Sequence, residues 1–226
     1  MIYNNIRRAK FIRRPNRFIA HIEIDGKEEI CHVKNTGRCK ELLTENAAVF
    51  VQEFDSPKRK TKFDLISVYK GKKLINMDSQ VPNKVFHEWL KQSDFLKNIS
   101  KIKPEHKYNN SRFDFYVEAD GRKILLEVKG VTLEENGIVL FPDAPTERGV
   151  KHLNELIDSI DDGYDAYVVF IIQMSDINYF TPNIKMHKEF AETLIRAKNH
   201  GVKIIALDCD VTENIIAAKN FVEVKL

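Results

Sequence analysis

The chain has 226 residues, of which 43% are hydrophobic and 31% are charged, and its formal net charge is +3. This composition is typical of a soluble globular protein with a sizeable core, and it excludes disordered and fibrous proteins. No run approaches the ~20 apolar residues that a membrane-spanning helix needs. The start of the chain lacks the apolar segment of a secretory signal, and Cys31, Cys39 and Cys209 show no C-x-x-C spacing. We therefore expect a cytoplasmic protein without a cysteine zinc site.

The charge is unevenly distributed along the chain. Residues 1–82 contain 17 Lys and Arg against 10 Asp and Glu, a balance of +7, whereas residues 83–226 contain 19 against 23, a balance of −4. This asymmetry predicts two domains with these bounds. The basic domain is the expected surface for a polyanion.

Alternating apolar and polar residues in the first domain predict five short strands and one short helix. An OB-like β-barrel is the leading architecture for this pattern. Barrels of this type commonly bind single strands through basic grooves. The predicted strands are Arg17–Ile24, Glu28–Lys34, Ala47–Phe54, Lys62–Lys70 and Lys73–Met77, and the predicted helix is Lys40–Leu43.

Two basic clusters lie in this domain. The first is interleaved with Phe11, Ile12 and Phe18 near the start of the chain, and the second follows Pro57. Such a run is either a solvated strand edge, where charge prevents aggregation, or a set of phosphate contacts. Arginine is well suited to phosphate because its planar fork matches the oxygens. The residues predicted to bind nucleic acid are Arg7, Arg8, Arg13, Arg14, Arg17, Arg38, Lys58, Arg59, Lys60 and Lys62.

A linker, Asp78–Asn83, leads into a predicted helix with an apolar stripe. Asn83 is the expected N-cap, and the stripe is formed by Val85, Phe86, Trp89 and Leu90. Glu88 lies off this stripe. It is either a surface residue or an extra carboxylate for a metal site.

A β-hairpin at residues 112–130 carries the most suggestive residues. Phe113–Glu118 and Lys123–Val128 are the predicted strands, with one face in a core and the other exposed, and Asp120-Gly121 supplies the turn. Glu127 and Lys129 project from one face, and the hairpin brings Asp114 beside them. Two carboxylates and an ammonium suit either Mg²⁺ binding or an ordinary solvated face.

Helices and strands then alternate to the end of the chain. Short strands at Val131–Glu134 and Ile138–Phe141 precede a helix that Thr146 caps and that ends near Ile160. Arg148 and His152 share a face of this helix near its N-terminus, where an anion can bind, although a charged helix face is the simpler interpretation. Gln173 ends a buried strand. The remaining predicted elements are the strand Tyr167–Gln173, the helix Lys188–Asn199 and the strands Lys203–Asp208 and Phe221–Val224.

Six segments together resemble the sugar fermentation stimulation protein A family over nearly the whole chain. They are Arg14–Phe18, Asn35–Arg38, Asp78–Asn83, Asn110–Phe115, Glu127–Lys129 and Phe141–Gly149. The resemblance implies an α+β/α/β protein of two domains, an N-terminal OB-like barrel followed by a PD-(D/E)xK nuclease-like mixed sheet flanked by helices. It also implies DNA binding in the regulation of sugar utilisation. The nuclease motif would be Asp114, Glu127 and Lys129.

Two functions follow from this resemblance. One is a DNA phosphodiesterase dependent on Mg²⁺ or Mn²⁺, and the other is a non-catalytic DNA-binding regulator on a nuclease-like fold. In the enzyme, Asp114 and Glu127 hold the metal with the Val128 carbonyl, and Glu88 completes the ligand set. The predicted catalytic residues are Asp114, Glu127, Lys129, Arg148, His152 and Gln173. DNA, contacted with little sequence specificity, is the expected partner. No residue pattern favours a sugar-metabolising enzyme.

Overall fold

The computed structural model describes residues 1–35 and 37–226. Thr36, part of the predicted loop Asn35–Arg38, lies outside the described residues. The first six strands form one sheet in the order β3-β2-β1-β4-β5-β6, and a parallel pairing of β3 with β5 closes strands β1 to β5 into a barrel. These strands are β1 (Ile6–Asn16), β2 (Ile19–Ile24), β3 (Lys27–Val33), β4 (Ala48–Glu53), β5 (Phe63–Lys70) and β6 (Lys73–Asn76).

The second half contains a six-stranded sheet in the order β15-β14-β12-β9-β8-β7 and a small sheet in the order β10-β11-β13-β16. Strands β9, β12 and β14 are parallel, and the outer strands of the large sheet pair antiparallel. The elements are α1 (Pro82–Gln92), β7 (Ile99–Tyr108), β8 (Ser111–Ala119), β9 (Arg122–Val131), β10 (Glu134–Glu135), β11 (Ile138–Phe141), α2 (Glu147–Asp161), β12 (Asp165–Ile172), β13 (Tyr179–Pro182), α3 (Lys188–Asn199), β14 (Lys203–Val211), β15 (Ile216–Phe221) and β16 (Glu223–Val224).

Helices cover both faces of the large sheet. On one face α1 buries Val85 and Phe86 against Leu126. On the other face α2 and α3 pack over β12, and that apolar cluster continues into the barrel. A sheet enclosed in this way carries apolar residues on both faces of its central strands.

This enclosure corrects one prediction about the hairpin. We expected one exposed face, but Phe113 and Tyr116 are buried under α2, and Phe115 and Val117 are buried under α1. The apolar residues of this strand alternate with residues 114, 116 and 118, which predicts a solvated face. The pattern is ambiguous at position 116, because tyrosine is compatible with either a buried or an exposed environment.

Two local predictions are also wrong. Lys40–Leu43 is a turn in which the N–H groups of Leu42 and Leu43 both donate to the Cys39 carbonyl. The N-cap of α1 is Val81, with Pro82 in the first turn, so Asn83 lies inside the helix. The first basic cluster lies along β1, where residues 6–10 pair with β4 and residues 10–16 pair with β2, so both interpretations of this cluster stay open.

The boundary between residues 82 and 83 stays a prediction; β6 ends at Asn76 and α1 begins at Pro82. Within residues 1–35 and 37–226, none of the helices has the length and apolar character needed to cross a membrane.

Candidate active site

Asp114 lies where β8 and β9 separate. The ladder between these strands reaches only to the pair Phe115 and Leu126. Asp114 accepts the next hydrogen bond with its side chain instead, from the Val128 N–H to Oδ2 at 2.7 Å. Its Oδ1 accepts a second bond, from the Asn83 amide at 2.7 Å. The carboxylate is therefore fixed by β9 on one side and α1 on the other.

Glu127 faces α2 from the middle of β9 and is buried. Its Oε1 accepts hydrogen bonds from Lys129 Nζ at 2.5 Å and from His152 Nδ1 at 2.5 Å. Its Oε2 is also buried but has no hydrogen-bond partner among the described residues. One oxygen of this carboxylate is thus held in place by two donors, and the other is available.

The two carboxyl groups influence each other electrostatically. Burial raises the pKa of Asp114, and the nearby negative charge of Glu127 raises it further, against the opposing donors Val128 and Asn83. Burial also acts to raise the pKa of Glu127, but the hydrogen bond from His152 and the charge of Lys129 outweigh it and hold that pKa below its usual value. Glu127 is the more readily ionised of the pair.

His152 connects Glu127 to the protein surface. Its Nε2 accepts a hydrogen bond from Arg148 Nε at 3.3 Å, so the ring proton lies on Nδ1 and is donated to Glu127. The helix that carries both residues begins at Thr146, whose Oγ1 accepts from the Gly149 N–H at 3.1 Å. The spacing of four residues places Arg148 and His152 on one face, as the sequence predicts.

The structure thus brings together five predicted residues and leaves two elsewhere. Asp114, Glu127, Lys129, His152 and Arg148 form one connected group. The roles of these residues remain predictions. The sequence analysis missed Asn83, because a residue at a helix start was interpreted as a cap rather than as a donor to a distant carboxylate.

Gln173 is placed as a contact between the two halves of the chain. It is 1% exposed, and its amide nitrogen donates to the Asn76 carbonyl at 3.1 Å, Asn76 Oδ1 at 3.0 Å and the Asp78 carbonyl at 3.0 Å. Gly130, directly after the motif lysine, leaves the space for the other amide atom, since a Cβ there would lie 2.7 Å from Gln173 Oε1. The position predicted to face the scissile phosphate instead joins β12 to the end of the barrel.

Glu88 is likewise engaged outside the carboxylate pair. Its Oε2 accepts a hydrogen bond from the Met1 ammonium at 2.5 Å. Asn83, one and a half turns earlier on α1, is the residue of this helix that reaches Asp114. The structure therefore gives Glu88 a contact with the start of the chain and none with the predicted metal ligands.

Half of the predicted nucleic-acid residues are occupied within the protein. Arg7 pairs with Asp25 and Glu53, and Arg13 pairs with Glu28. Lys62 also pairs with Glu53, at 2.6 Å, and Arg59 pairs with Asp64.

Arg14 is the fifth predicted nucleic-acid residue with a partner in the protein, and its side chain binds backbone carbonyls rather than a carboxylate. Its guanidinium donates to the carbonyls of Asn35, Gly37, Arg38 and Arg17 at 2.6 to 2.9 Å. The four N–H groups of its terminal nitrogens are taken by these carbonyls and its Nε is buried, so the side chain is not available to phosphate. The remaining predicted residues are exposed and have no ion pair among the described residues; they are Arg8, Arg17, Arg38, Lys58 and Lys60.

A second group of possible metal ligands lies near the start of α2. Ligand atoms of Glu147, His187 and Glu189 all lie within 4.8 Å of one another. The Nδ1 of His187 accepts a hydrogen bond from the Thr146 N–H at 3.3 Å, so Nε2 carries the proton and faces Glu147 Oε1 at 3.5 Å. This arrangement makes His187 a donor to a carboxylate rather than a metal ligand.

Comparison with known proteins places the chain in a family. The family model described as the SfsA N-terminal OB domain matches residues 12–77, and the one described as the sugar fermentation stimulation protein RE domain matches residues 80–215. Sugar fermentation stimulation protein homologs from Clostridium beijerinckii and Desulfitobacterium hafniense are 65% and 66% identical over 226 residues, which is 100% of this chain and 100% and 99% of theirs.

A solved structure extends the comparison to the whole fold. The structure of Pyrococcus furiosus SfsA in complex with Ca²⁺ is 27% identical, has a TM-score of 0.90, and covers 100% of this chain and 98% of that chain. These findings and the strand order confirm the predicted OB-like barrel followed by a mixed sheet flanked by helices. The chain belongs to the sugar fermentation stimulation protein (SfsA) family.

Proposed function

We propose that this protein is a phosphodiesterase that cleaves DNA with a divalent cation held by Asp114 and Glu127. The observation that carries the proposal is the buried Glu127 Oε2, which has no partner among the described residues although a second carboxyl group lies close by. A buried carboxylate oxygen without a partner is costly, and so is a pair of like charges. A cation between the two groups relieves both costs, and carboxylate oxygens are the preferred ligands of Mg²⁺ and Mn²⁺.

The relative from Pyrococcus furiosus supports this choice of ligand, since its structure is a complex with Ca²⁺. When bound, a divalent cation polarises the phosphodiester and lowers the pKa of a water molecule that is coordinated to the cation. The chain's own residues supply the rest. Lys129 stabilises charge that develops on the phosphate, and it is already positioned by Glu127. His152, fixed by Arg148, holds Glu127 in one orientation.

The barrel would contribute contacts to the DNA backbone. The exposed residues Arg8, Arg17, Arg38, Lys58 and Lys60 are free for phosphate, and phosphate contacts position a nucleic acid without reading its sequence. The three cysteines are buried and form no disulfide among the described residues, which suits a reducing compartment and hence cytoplasmic DNA.

The test combines cleavage with metal binding. Plasmid, linear and single-stranded DNA are incubated with Mg²⁺, Mn²⁺ or EDTA, using the wild type, Asp114→Asn and Lys129→Gln. Loss of either side chain is expected to slow cleavage by about 100-fold or more. Asp210 and Lys219 form an exposed ion pair at 2.8 Å on β14 and β15, so Asp210→Asn and Lys219→Gln are matched controls that should cleave normally.

Metal binding is measured separately by thermal unfolding. Mn²⁺ at 100 times its dissociation constant should stabilise the wild type by about 2.7 kcal/mol and Asp114→Asn much less. Equal cleavage by the wild type and Asp114→Asn would refute the proposed phosphodiesterase activity of this site. If both then bind DNA equally well, the non-catalytic DNA-binding regulator is the correct function.

A further inference from the structure

A basic pocket lies beside the carboxylate group, between the tip of the β7–β8 hairpin and the first turns of α2. We call it the hairpin–helix pocket, and it is lined by Asn110, Ser111, Arg112, Glu147, Arg148, Lys151 and His152. Its volume is about 420 Å³. His152 is shared with the candidate active site, because the same ring donates to Glu127 through Nδ1 and accepts from Arg148 through Nε2.

Three cationic side chains surround the pocket: Arg148, which donates to the His152 ring, and Arg112 and Lys151, whose contacts with other residues are weak. Arg112 pairs with Glu105 at 2.9 Å, but both side chains are about two-thirds exposed, at 65% and 67%. Such surface pairs contribute little and exchange readily. Lys151 donates to the Asn110 carbonyl at 2.9 Å and lies 3.8 Å from Glu155. The pocket therefore offers positive charge to a ligand.

Ser111 gives independent evidence of a ligand. The residue is 7% exposed, and its Oγ is buried without a hydrogen-bond partner among the described residues. Leaving a buried hydroxyl unpaired costs free energy, so native proteins rarely do so without a reason. A ligand with acceptor oxygens would accept the hydrogen bond that Ser111 lacks.

The start of α2 adds to the attraction for an anion. This helix has 15 residues, and Thr146 satisfies the N–H groups of Gly149 and Val150. The N–H groups of Glu147 and Arg148 precede them and have no intrahelical acceptor. Free N–H groups and the helix dipole favour a negatively charged group there. The Glu147 carboxylate does not cancel this effect, since it is 81% exposed and faces His187.

We propose that the hairpin–helix pocket binds a phosphate group of the nucleic acid, next to the phosphate that is cleaved. The position next to the cleaved phosphate rests on the function proposed above, whereas the affinity for phosphate does not. Ser111 donates its hydroxyl, Arg112 and Lys151 supply charge, and Arg148 spans the pocket and the ring of His152. The phosphate is either an internal backbone phosphate or one at a strand end.

Binding is measured without turnover, in EDTA, by fluorescence anisotropy of a short labelled single strand over a range of salt concentrations. Arg112→Gln and Lys151→Gln should each weaken binding about tenfold, the usual effect of a lost charged hydrogen bond. Each should also reduce the slope of log affinity against log salt by about 0.7, the value for one phosphate contact on a single strand. Arg122→Gln and Lys198→Gln are matched controls, because Arg122 pairs with Asp165 at the far end of β9 and Lys198 lies in the last turn of α3.

Ser111→Ala separates binding from folding. It removes a hydroxyl that has no partner among the described residues, so the free energy of unfolding should be unchanged or higher while binding weakens several-fold. Strands with a 5′-phosphate, a 3′-phosphate or hydroxyl ends distinguish the two phosphate sources. An internal phosphate predicts equal affinity for all three, and a terminal phosphate predicts a preference that disappears in Lys151→Gln.

The proposal is overturned if the double variant of Arg112→Gln and Lys151→Gln keeps the affinity and salt slope of the controls. Because no metal or cleavage is involved, this outcome is independent of the nuclease test. Phosphate binding without cleavage would support the phosphate pocket and contradict the proposed nuclease activity. Cleavage with an unchanged salt slope in the double variant would support the nuclease activity and contradict the phosphate pocket.

Discussion

Replacing Gln173 by leucine should destabilise the whole chain, because the side chain joins the barrel to the large mixed sheet. Its amide contacts three acceptors on Asn76 and Asp78 and is completely buried. An amide nitrogen has two hydrogens, so two of the three contacts count in full, and Asn76 Oδ1 keeps a second donor in the Asp78 N–H. The Asp78 carbonyl likewise keeps a donor, the Val81 N–H at 3.3 Å, so the Asn76 carbonyl is the acceptor that is left without its donor, at a cost of about 1.5 kcal/mol.

The assay is urea unfolding followed by two signals. Trp89, the one tryptophan in the sequence, lies on α1 and reports the second half of the chain by fluorescence, whereas far-ultraviolet circular dichroism reports both halves. Gln92→Leu, at the exposed end of α1, is the control and should stay within about 0.5 kcal/mol of the wild type. If Gln173→Leu is as stable as this control, Gln173 does not join the halves, and a role in the site regains support.

Two further predictions concern groups that the sequence assigned differently or not at all. Burial alone would raise the pKa of Glu134, but the hydrogen bond from Lys70 lowers it. The ionised form thus stabilises the fold above the unfolded pKa of about 4.3, and this stability is lost as the pH falls through the lower folded pKa. Glu134→Gln should therefore unfold at lower urea concentration at pH 7 and match the wild type near pH 3; a constant difference would contradict this. Arg14→Lys should lose about 2 kcal/mol, because an ammonium cannot bind four carbonyls, with no change in the salt dependence of DNA binding, which a titration with DNA checks.

Elements with strong local signals were predictable. The helix Lys188–Asn199 has the predicted bounds, because its apolar residues recur at helical spacing and polar residues flank them. Thr146 is the predicted cap of α2. Strand β13 (Tyr179–Pro182) was missed because four residues ending in proline carry little strand signal, and its pairing with β11 is formed across a long sequence separation. The sequence predicts only Ile99–Ile102 of strand β7 (Ile99–Tyr108), since an edge strand rich in lysine resembles a loop.

The site was predictable only as far as one hairpin could specify it. Spacing of two places Glu127 and Lys129 on one face, and antiparallel pairing brings Asp114 near, so the motif could be read locally. The contact of His152 with Glu127 spans 25 residues, and that of Asn83 with Asp114 spans 31. Such contacts depend on how helices pack on the sheet, which local patterns do not contain.

The distribution of charge over the surface also could not be predicted from local sequence patterns, and it decides where a nucleic acid can bind. The count of charges assigned nucleic acid to the barrel, yet Arg7, Arg13, Arg59 and Lys62 are paired with carboxylates of the same domain. The second half has a net charge of −4, yet Arg112, Arg148 and Lys151 meet at one pocket, whose lining includes one carboxylate, that of Glu147. Exposed charges interact only within about a Debye length, roughly 8 Å at physiological salt, so the local arrangement rather than the domain total attracts a phosphate. The hairpin–helix pocket therefore has a stronger basis as a phosphate contact than any single arginine chosen from the composition of the barrel.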